Sequence, residues 1–361
     1  MKKIMSVALC LAMVLSMSAS ALAFEPVPKE EIKVGFVYIG DISDGGYTMA
    51  HHNGTLAMQE ALGLSDDQII IKRNVPENSD CEIALMELVE QGCDIIFGIS
   101  FGYMEYMADL AEQYPDVIFS HCSGYMSNDT NFNNYFGRIY EARYLTGIAA
   151  GLRTENNHLG YVAAMQTPEC IYSMNAYFLG ARSVNPDVTM DVTFTNTWYD
   201  PTIERQAAIA LLDRGVDVLA QHQDTTNPVA AAEERGVWAC GYNADMTEAG
   251  PNAHLTAPIW DWGAYLTDAV QKVIDGTWTS ENVLMGMSEG MVDISPLTKN
   301  VAEGTAEAVE AARASILDGS FGVFVGPIYD NEGTLRVEEG QTLTPEEILA
   351  IDWFVEGITI V

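Results

Sequence analysis

Basic residues are scarce in this chain: 17 Lys and Arg stand against 51 Asp and Glu, a formal charge of −34 at pH 7. A field of that sign repels phosphate backbones and anionic lipid surfaces, so nucleic acid and membrane surfaces drop out as partners. The acidic excess itself needs no more than a solvated coat. Cysteine is also thin: the six, at 10, 81, 93, 122, 170 and 240, fit no zinc-ligand spacing. Cys81 opens a predicted helix that ends before Cys93, which holds that pair too far apart to bridge. Five cysteines follow residue 23, so at least one thiol is expected to be free or paired between chains. Long apolar runs are missing after residue 17, and a bilayer span needs roughly 20 such residues.

The one apolar run, Ile4 to Met17, follows Lys2 and Lys3 and precedes the small-residue site Ala21-Leu22-Ala23 before Phe24. That is the pattern of a cleaved secretory signal over residues 1–23. Cys10 makes a poor lipid-attachment site, because Leu9 before it is large and the position lies deep in the run. The expected product is a free periplasmic protein. Its length allows one or two domains with a sizeable core.

From residue 32 the chain alternates apolar strands with amphipathic helices. Strands are predicted at Ile32 to Val37, Gln68 to Arg73, Asp94 to Ser100 and Val117 to His121, with helices at Asn78 to Gln91 and Met104 to Gln113. The run Arg138 to Arg153 carries Gly147, Ala149, Ala150 and Gly151, a set that permits close helix packing. The rhythm then restarts: strands at Leu159 to Met165, Val188 to Asn196, Val216 to His222 and Val237 to Gly241 alternate with helices at Ser173 to Arg182, Pro201 to Arg214 and Asn227 to Arg235. Such alternation means βαβ units and parallel sheets. The expected fold class is therefore α/β with two Rossmann-like lobes. The N-terminal lobe is set at 24–154 plus about 260–330, and the C-terminal lobe at 155–259 plus about 331–361. The joins fall near 150–157 and 256–262.

Ligands in open α/β sheets bind where loops diverge at the strands' carboxyl ends. The first such loop and the helix after it, Tyr38 to Leu62, hold Tyr38, Asp41, Ser43, Asp44, Gly45, Gly46 and Tyr47. Gly98-Ile99-Ser100-Phe101-Gly102 matches the G-x-S-x-G nucleophile elbow between a strand and a helix, with His222 and His254 further along. It lacks an oxyanion segment, so a binding loop offering Ser100 and the Phe101 ring is preferred over a serine hydrolase. Thr195 to Glu204 sets Trp198, Tyr199 and Asp200 before Pro201, an aromatic pair beside a carboxylate that suits a planar ring with N–H donors. Gln221, His222, Gln223 and Asp224 end the next strand, and Tyr242, Asn243 and Asp245 the one after. Trp260, Asp261 and Trp262 mark a crossing. His51, His52 and His121 have no neighbours at metal spacing. None of these loops contains Lys or Arg, whereas phosphate and carboxylate ligands are normally met by such forks. The ligand is expected to be neutral or weakly cationic, and no cofactor is called for.

The segments KVGFVYIGDISDGGYT, FGISFGYME, YFGRIYEARYLTGIAAG, TWYDPTIE, LLDRGVDVLAQHQD, GYNADMTEAGPNAHLTAPIWDWG and VFVGPIYDNEGTLR, in this order, resemble the basic membrane lipoprotein (BMP) family of ABC-transporter solute-binding proteins. The resemblance covers almost the whole chain after the leader. It implies a type I periplasmic-binding fold that closes on a purine nucleobase or nucleoside. Tyr38 or Tyr47, with Trp198, would sandwich the ring; Asp41, Asp44, Gln221, Asp224, Asn243 and Asp245 would meet its edges or a ribose. It also implies delivery to an inner-membrane ABC permease and its ATPase by a monomer, a nucleobase such as adenine being favoured. A sensory module that presents the ligand to a receptor is the alternative on the same fold.

Overall fold

The computed structural model describes residues 24–361; the expected leader, residues 1–23, lies outside them. The first run of elements is β1 (Val34–Val37), α1 (Tyr47–Leu62), β2 (Ile69–Lys72), α2 (Ser79–Glu90), β3 (Ile95–Gly98), α3 (Met104–Gln113), β4 (Ile118–Cys122) and β5 (Phe132–Gly137). Then come α4 (Ile139–Arg153), β6 (His158–Ala163), α5 (Pro168–Val184), β7 (Thr189–Phe194), α6 (Pro201–Asp213), β8 (Val218–His222), α7 (Asn227–Arg235) and β9 (Trp238–Cys240). The remainder is β10 (Pro258–Trp260), α8 (Trp262–Ile274), β11 (Val283–Met285), β12 (Val292–Ile294), α9 (Thr305–Leu317), β13 (Ile328–Tyr329), β14 (Leu335–Val337), α10 (Pro345–Leu349) and β15 (Ile358–Ile360).

Two parallel sheets result. The first has the order β11-β5-β4-β3-β1-β2 and the second β15-β7-β6-β8-β9. Along β1, Phe36 and Tyr38 pack into the core under α1 while Val37 packs into the core under α2 and α3, the two-residue alternation of a strand covered on both faces. The second sheet is covered on its far side by α6 and α7, through Leu211, Val229 and Ala232. β1 lies between β2 and β3, and β6 between β7 and β8, so each sheet reverses its strand order there. Those two points open crevices at the carboxyl ends. Among the described residues no helix is long and apolar enough to cross a membrane.

The strand β5 is absent from the sequence-based reading because Asn133 and Asn134 interrupt its apolar pattern. Both are buried and satisfied: Asn133 Nδ2 donates to the Tyr265 hydroxyl at 2.9 Å, and Asn134 Nδ2 lies 3.0 Å from His121 Nδ1.

The lobe boundaries differ from those expected. α4 packs on α5 so closely that a Cβ on Gly147 would meet the Tyr177 carbonyl oxygen at 1.9 Å, and one on Gly180 the Tyr144 carbonyl oxygen at 2.0 Å. The chain therefore leaves the first lobe at Gly137–Arg138, before the small-residue helix rather than after it. α8 returns to pack on α1, and β11 joins the first sheet beside β5. α9 then packs on α4, and Phe321 lies 5.1 Å from the Tyr144 ring. Residues 305–321 thus go with the second sheet, not with the first lobe as their sequence pattern suggests. The β10–β12 ladder sits at the junction, its Trp260 ring stacked 4.4 Å from Trp262.

All five cysteines among the described residues are free and buried. Burial pushes the Cys93, Cys170 and Cys240 thiols up to about 12, which keeps them protonated and inert.

Candidate functional site

The loops that leave the two switch points face each other across a cleft. The space between them, about 440 Å³ when the open solvent at its mouth is included, is the candidate site. Ile39, Tyr47, Ile99, Ser100, Phe101, Ser123 and Phe136 line it from the first lobe, and Glu169, Trp198, His222, Asp224 and Tyr242 from the second.

On the first lobe, Asp44 accepts the backbone N–H groups of Gly46 at 2.9 Å and Met49 at 3.0 Å on Oδ1, and of Thr48 at 2.7 Å on Oδ2. A carboxylate held by three otherwise unpaired donors fixes the start of α1. Tyr47, the first residue of that helix, is thereby set on the cleft wall, with its hydroxyl donating to Cys122 Sγ at 3.3 Å and its ring edge-on to His51 at 4.5 Å. His51 is stacked 4.0 Å from Trp262 and burial drives its pKa down to about 3, so it is a neutral packing residue.

Ser100 is built into the loop's hydrogen bonds. Its hydroxyl donates to Glu77 Oε1 at 2.6 Å, and the nearby His121 spends Nε2 on the Ser100 carbonyl oxygen at 2.7 Å. The same Glu77 oxygen accepts the Gly102 N–H at 2.8 Å, so the pair ties the loop in place. Phe101, 41% exposed, forms the outer lip.

On the second lobe, Asp200 caps α6 by accepting the Thr202 and Ile203 N–H groups, both at 2.9 Å. That anchors the preceding loop, so that Trp198 is half-buried on the cleft and Tyr199, 53% exposed, faces away from it. The Trp198 carbonyl accepts the Asp224 N–H at 3.3 Å, tying two lining residues together. His222 lies between them and Tyr242, its ring 4.4 Å from the tyrosine and 6.3 Å from Trp198. Asp224 Oδ1 accepts Asn243 Nδ2 at 3.1 Å, and Asn243 Oδ1 accepts Trp260 Nε1 at 3.0 Å. Burial, then the neighbouring Asp44 carboxylate, hold the Asp224 carboxyl well above the usual range, with the Asn243 amide opposing.

Of the residues singled out from sequence, Tyr47, Phe101, Trp198, Asp224 and Tyr242 come together on this cleft. The others are placed differently. Tyr38 is a core residue with its hydroxyl on Thr55 Oγ1 at 2.7 Å, because strand alternation turns it inward and gives Ile39 to the cleft. Asp41 is exposed and accepts the Ser43 N–H and hydroxyl in a local turn. Asp44 is the helix cap just described. Gln221 is fully buried and spends Nε2 on the carbonyls of Gln223 and Thr225, shaping the loop from behind. Asn243 stands behind Asp224. Asp245, its side chain 49% exposed, turns to Thr247 outside the cleft.

Glu169 and Ser123 are additional. Glu169 is the second residue of α5, just past the loop after β6, the strand at the second switch point, and nothing in that stretch of sequence marks a site. The TPE triplet at Thr167 looks like any helix start with Pro at the first position and an acid in the first turn. Only the topology singles it out.

No Lys or Arg lines the cleft among the described residues. Arg143 lies one layer behind, fully buried, with its guanidinium 3.8 Å from the Tyr242 ring centroid and Nη1 donating to the Gln221 carbonyl at 2.8 Å.

Two parallel-sheet lobes, three connections between them and an aromatic cleft at facing switch points define a fold of the periplasmic-binding type. A solute-binding protein of Aeropyrum pernix shares the fold, with a TM-score of 0.69 at 20% identity over 83% of this chain and 93% of its own. Residues 31–321 match the model of the Bmp family, the PnrA-like ABC transporter substrate-binding proteins, and the chain belongs to that family. It is 37% identical to a purine-binding protein of Brucella abortus over 91% of this chain and 93% of that protein. It is also 38% identical to a putative ABC transporter glucose-binding protein of Haloferax volcanii, over 85% and 78% respectively.

Proposed function

We propose that this substrate-binding protein captures a purine, with a nucleobase such as adenine as first choice, and hands it to the permease and ATPase of an ABC importer. The observation that carries the reading is the convergence of Tyr47 and Trp198, from opposite lobes, on one cleft that has Asp224 at its edge and no cation in its wall. Flat side chains stack on both faces of a purine, each base contact contributing roughly 1–3 kcal/mol, and each satisfied edge adds about 0.5–1.5 kcal/mol. Micromolar capture needs about −8 kcal/mol net of ordering costs. The protein acts as a monomer outside the inner membrane, in the periplasm, after its leader is removed.

A nucleoside is the alternative: a ribose clamp needs a free carboxylate for two adjacent hydroxyls, and of the carboxylates weighed from sequence only Asp224 lines the cleft. Asp41 and Asp44 are both committed to their own backbone N–H groups. The Brucella relative's name supports the purine, while the Haloferax relative's name favours glucose. A sugar ring carries hydroxyls around its whole rim, yet seven of the twelve lining residues are aliphatic or aromatic. A thermal-shift panel of adenine, guanine, hypoxanthine, their nucleosides and glucose decides. A purine at a hundred times its Kd is expected to raise Tm by about 3–4 °C. A shift with glucose alone overturns the reading.

A further inference from the structure

Glu169 has no place in the reading so far, yet it sits at the second lobe's switch point with its side chain 22% exposed on the cleft. Its Oε1 lies 3.2 Å from Nε2 of His222, whose side chain is only 3% exposed. Burial lowers the His222 pKa against the opposing pull of Glu169, so the ring is neutral. A carboxylate partner selects the tautomer with the proton on Nε2. Nδ1 is then a bare acceptor, buried and without a partner. Glu169 offers a ligand its second oxygen, and His222 holds the carboxylate in place. With no cation in the wall, this side of the cleft is rich in acceptors.

Building on the purine reading, we propose that Glu169, held in place by His222, is a specificity-determining residue that selects purines bearing an exocyclic amino group over those without one. An amino group supplies the N–H donors that an acceptor wall demands, and a carbonyl at the same position meets lone pairs with lone pairs. A hydrogen bond to a charged acceptor is also the stronger kind. The Asp224 carboxyl is left for another edge of the ring.

Two ligand pairs differ by an amino group alone: adenine against unsubstituted purine, and guanine against hypoxanthine. Calorimetric titration of the wild type is expected to show a preference of about tenfold or more for the amino member in at least one pair. Glu169→Gln keeps the size, but its one carbonyl oxygen is taken by His222, which turns an N–H₂ toward the ligand. The preference is then expected to vanish or invert, while Glu169→Asp retains its direction. Equal weakening of all four ligands in Glu169→Gln, or no preference in the wild type, overturns the proposal and leaves the purine reading standing. Absence of binding by any purine to the wild type overturns both.

Discussion

Gly46, on the first lobe, lies against the backbone carbonyl of Asp224, on the second: a Cβ added to it would come within 2.3 Å of that oxygen. One on Gly45 would lie 3.3 Å from Thr226 Cγ2. The lobes therefore touch at the floor of the cleft, which is the closed arrangement of a hinge protein. A ligand held by both lobes favours that state.

Gly46→Ala tests this contact. The methyl group has backbone in its way, and overpacking of this kind costs about 1–3 kcal/mol, borne by the closed form. Affinity for the ligand is expected to fall about tenfold. Small-angle scattering of the variant is expected to show less compaction on adding ligand than the wild type. Unchanged affinity and compaction mean that closure does not use this contact.

Trp198→Ala removes one flat wall. The loss is expected to be about 1–3 kcal/mol of binding. The fold should be unaffected, because Trp198 is half-buried on a loop anchored by the Asp200 cap. Calorimetry gives the affinity and a melting curve the stability; a variant that binds like the wild type removes Trp198 from the site.

Glu204 gives a pH dependence of stability. It is fully buried on α6, accepts the Asp200 N–H at 3.0 Å and receives the hydroxyl of Thr225 in the loop that carries Asp224. Burial raises its pKa from the ordinary 4.5 to about 7. The folded state thus holds the proton more tightly than the unfolded one. Its contribution is fully present below about pH 4.5, declines as pH rises, and is lost above about 7. The change is on the order of 3 kcal/mol, since each tenfold gain in proton affinity is worth about 1.4 kcal/mol. Urea titrations at pH 5 and 8 check it: wild type is expected to lose this much relative to Glu204→Gln, which mimics the protonated acid. Parallel pH curves for the two contradict the assignment.

Much of the fold was legible because covered strands and amphipathic helices carry strong periodicities. The helices Met104–Gln113 and Asn227–Arg235 begin and end where the pattern puts them. β5 was hidden because Asn133 and Asn134 find partners only in distant segments. The first crossing was misplaced because Gly147 and Gly151 announce a close neighbour without saying which one.

Half of the cleft was legible for a similar reason. Aromatic residues at strand ends, such as Tyr47 and Trp198, have few uses besides stacking. Aspartates are ambiguous, since the same carboxylate turns to its own backbone in an Asx turn, as Asp41 and Asp245 do, or caps a helix, as Asp44 does. Glu169 was illegible because its importance lies in which strand precedes it.

The most direct measurement of the central claim is a crystal structure of the protein grown with adenine. The account predicts the base between the Tyr47 and Trp198 rings, with Asp224 on its edge and no Lys or Arg within hydrogen-bond reach. Adenine bound elsewhere, or a cleft in which Arg143 has swung forward to meet the ligand, would contradict it.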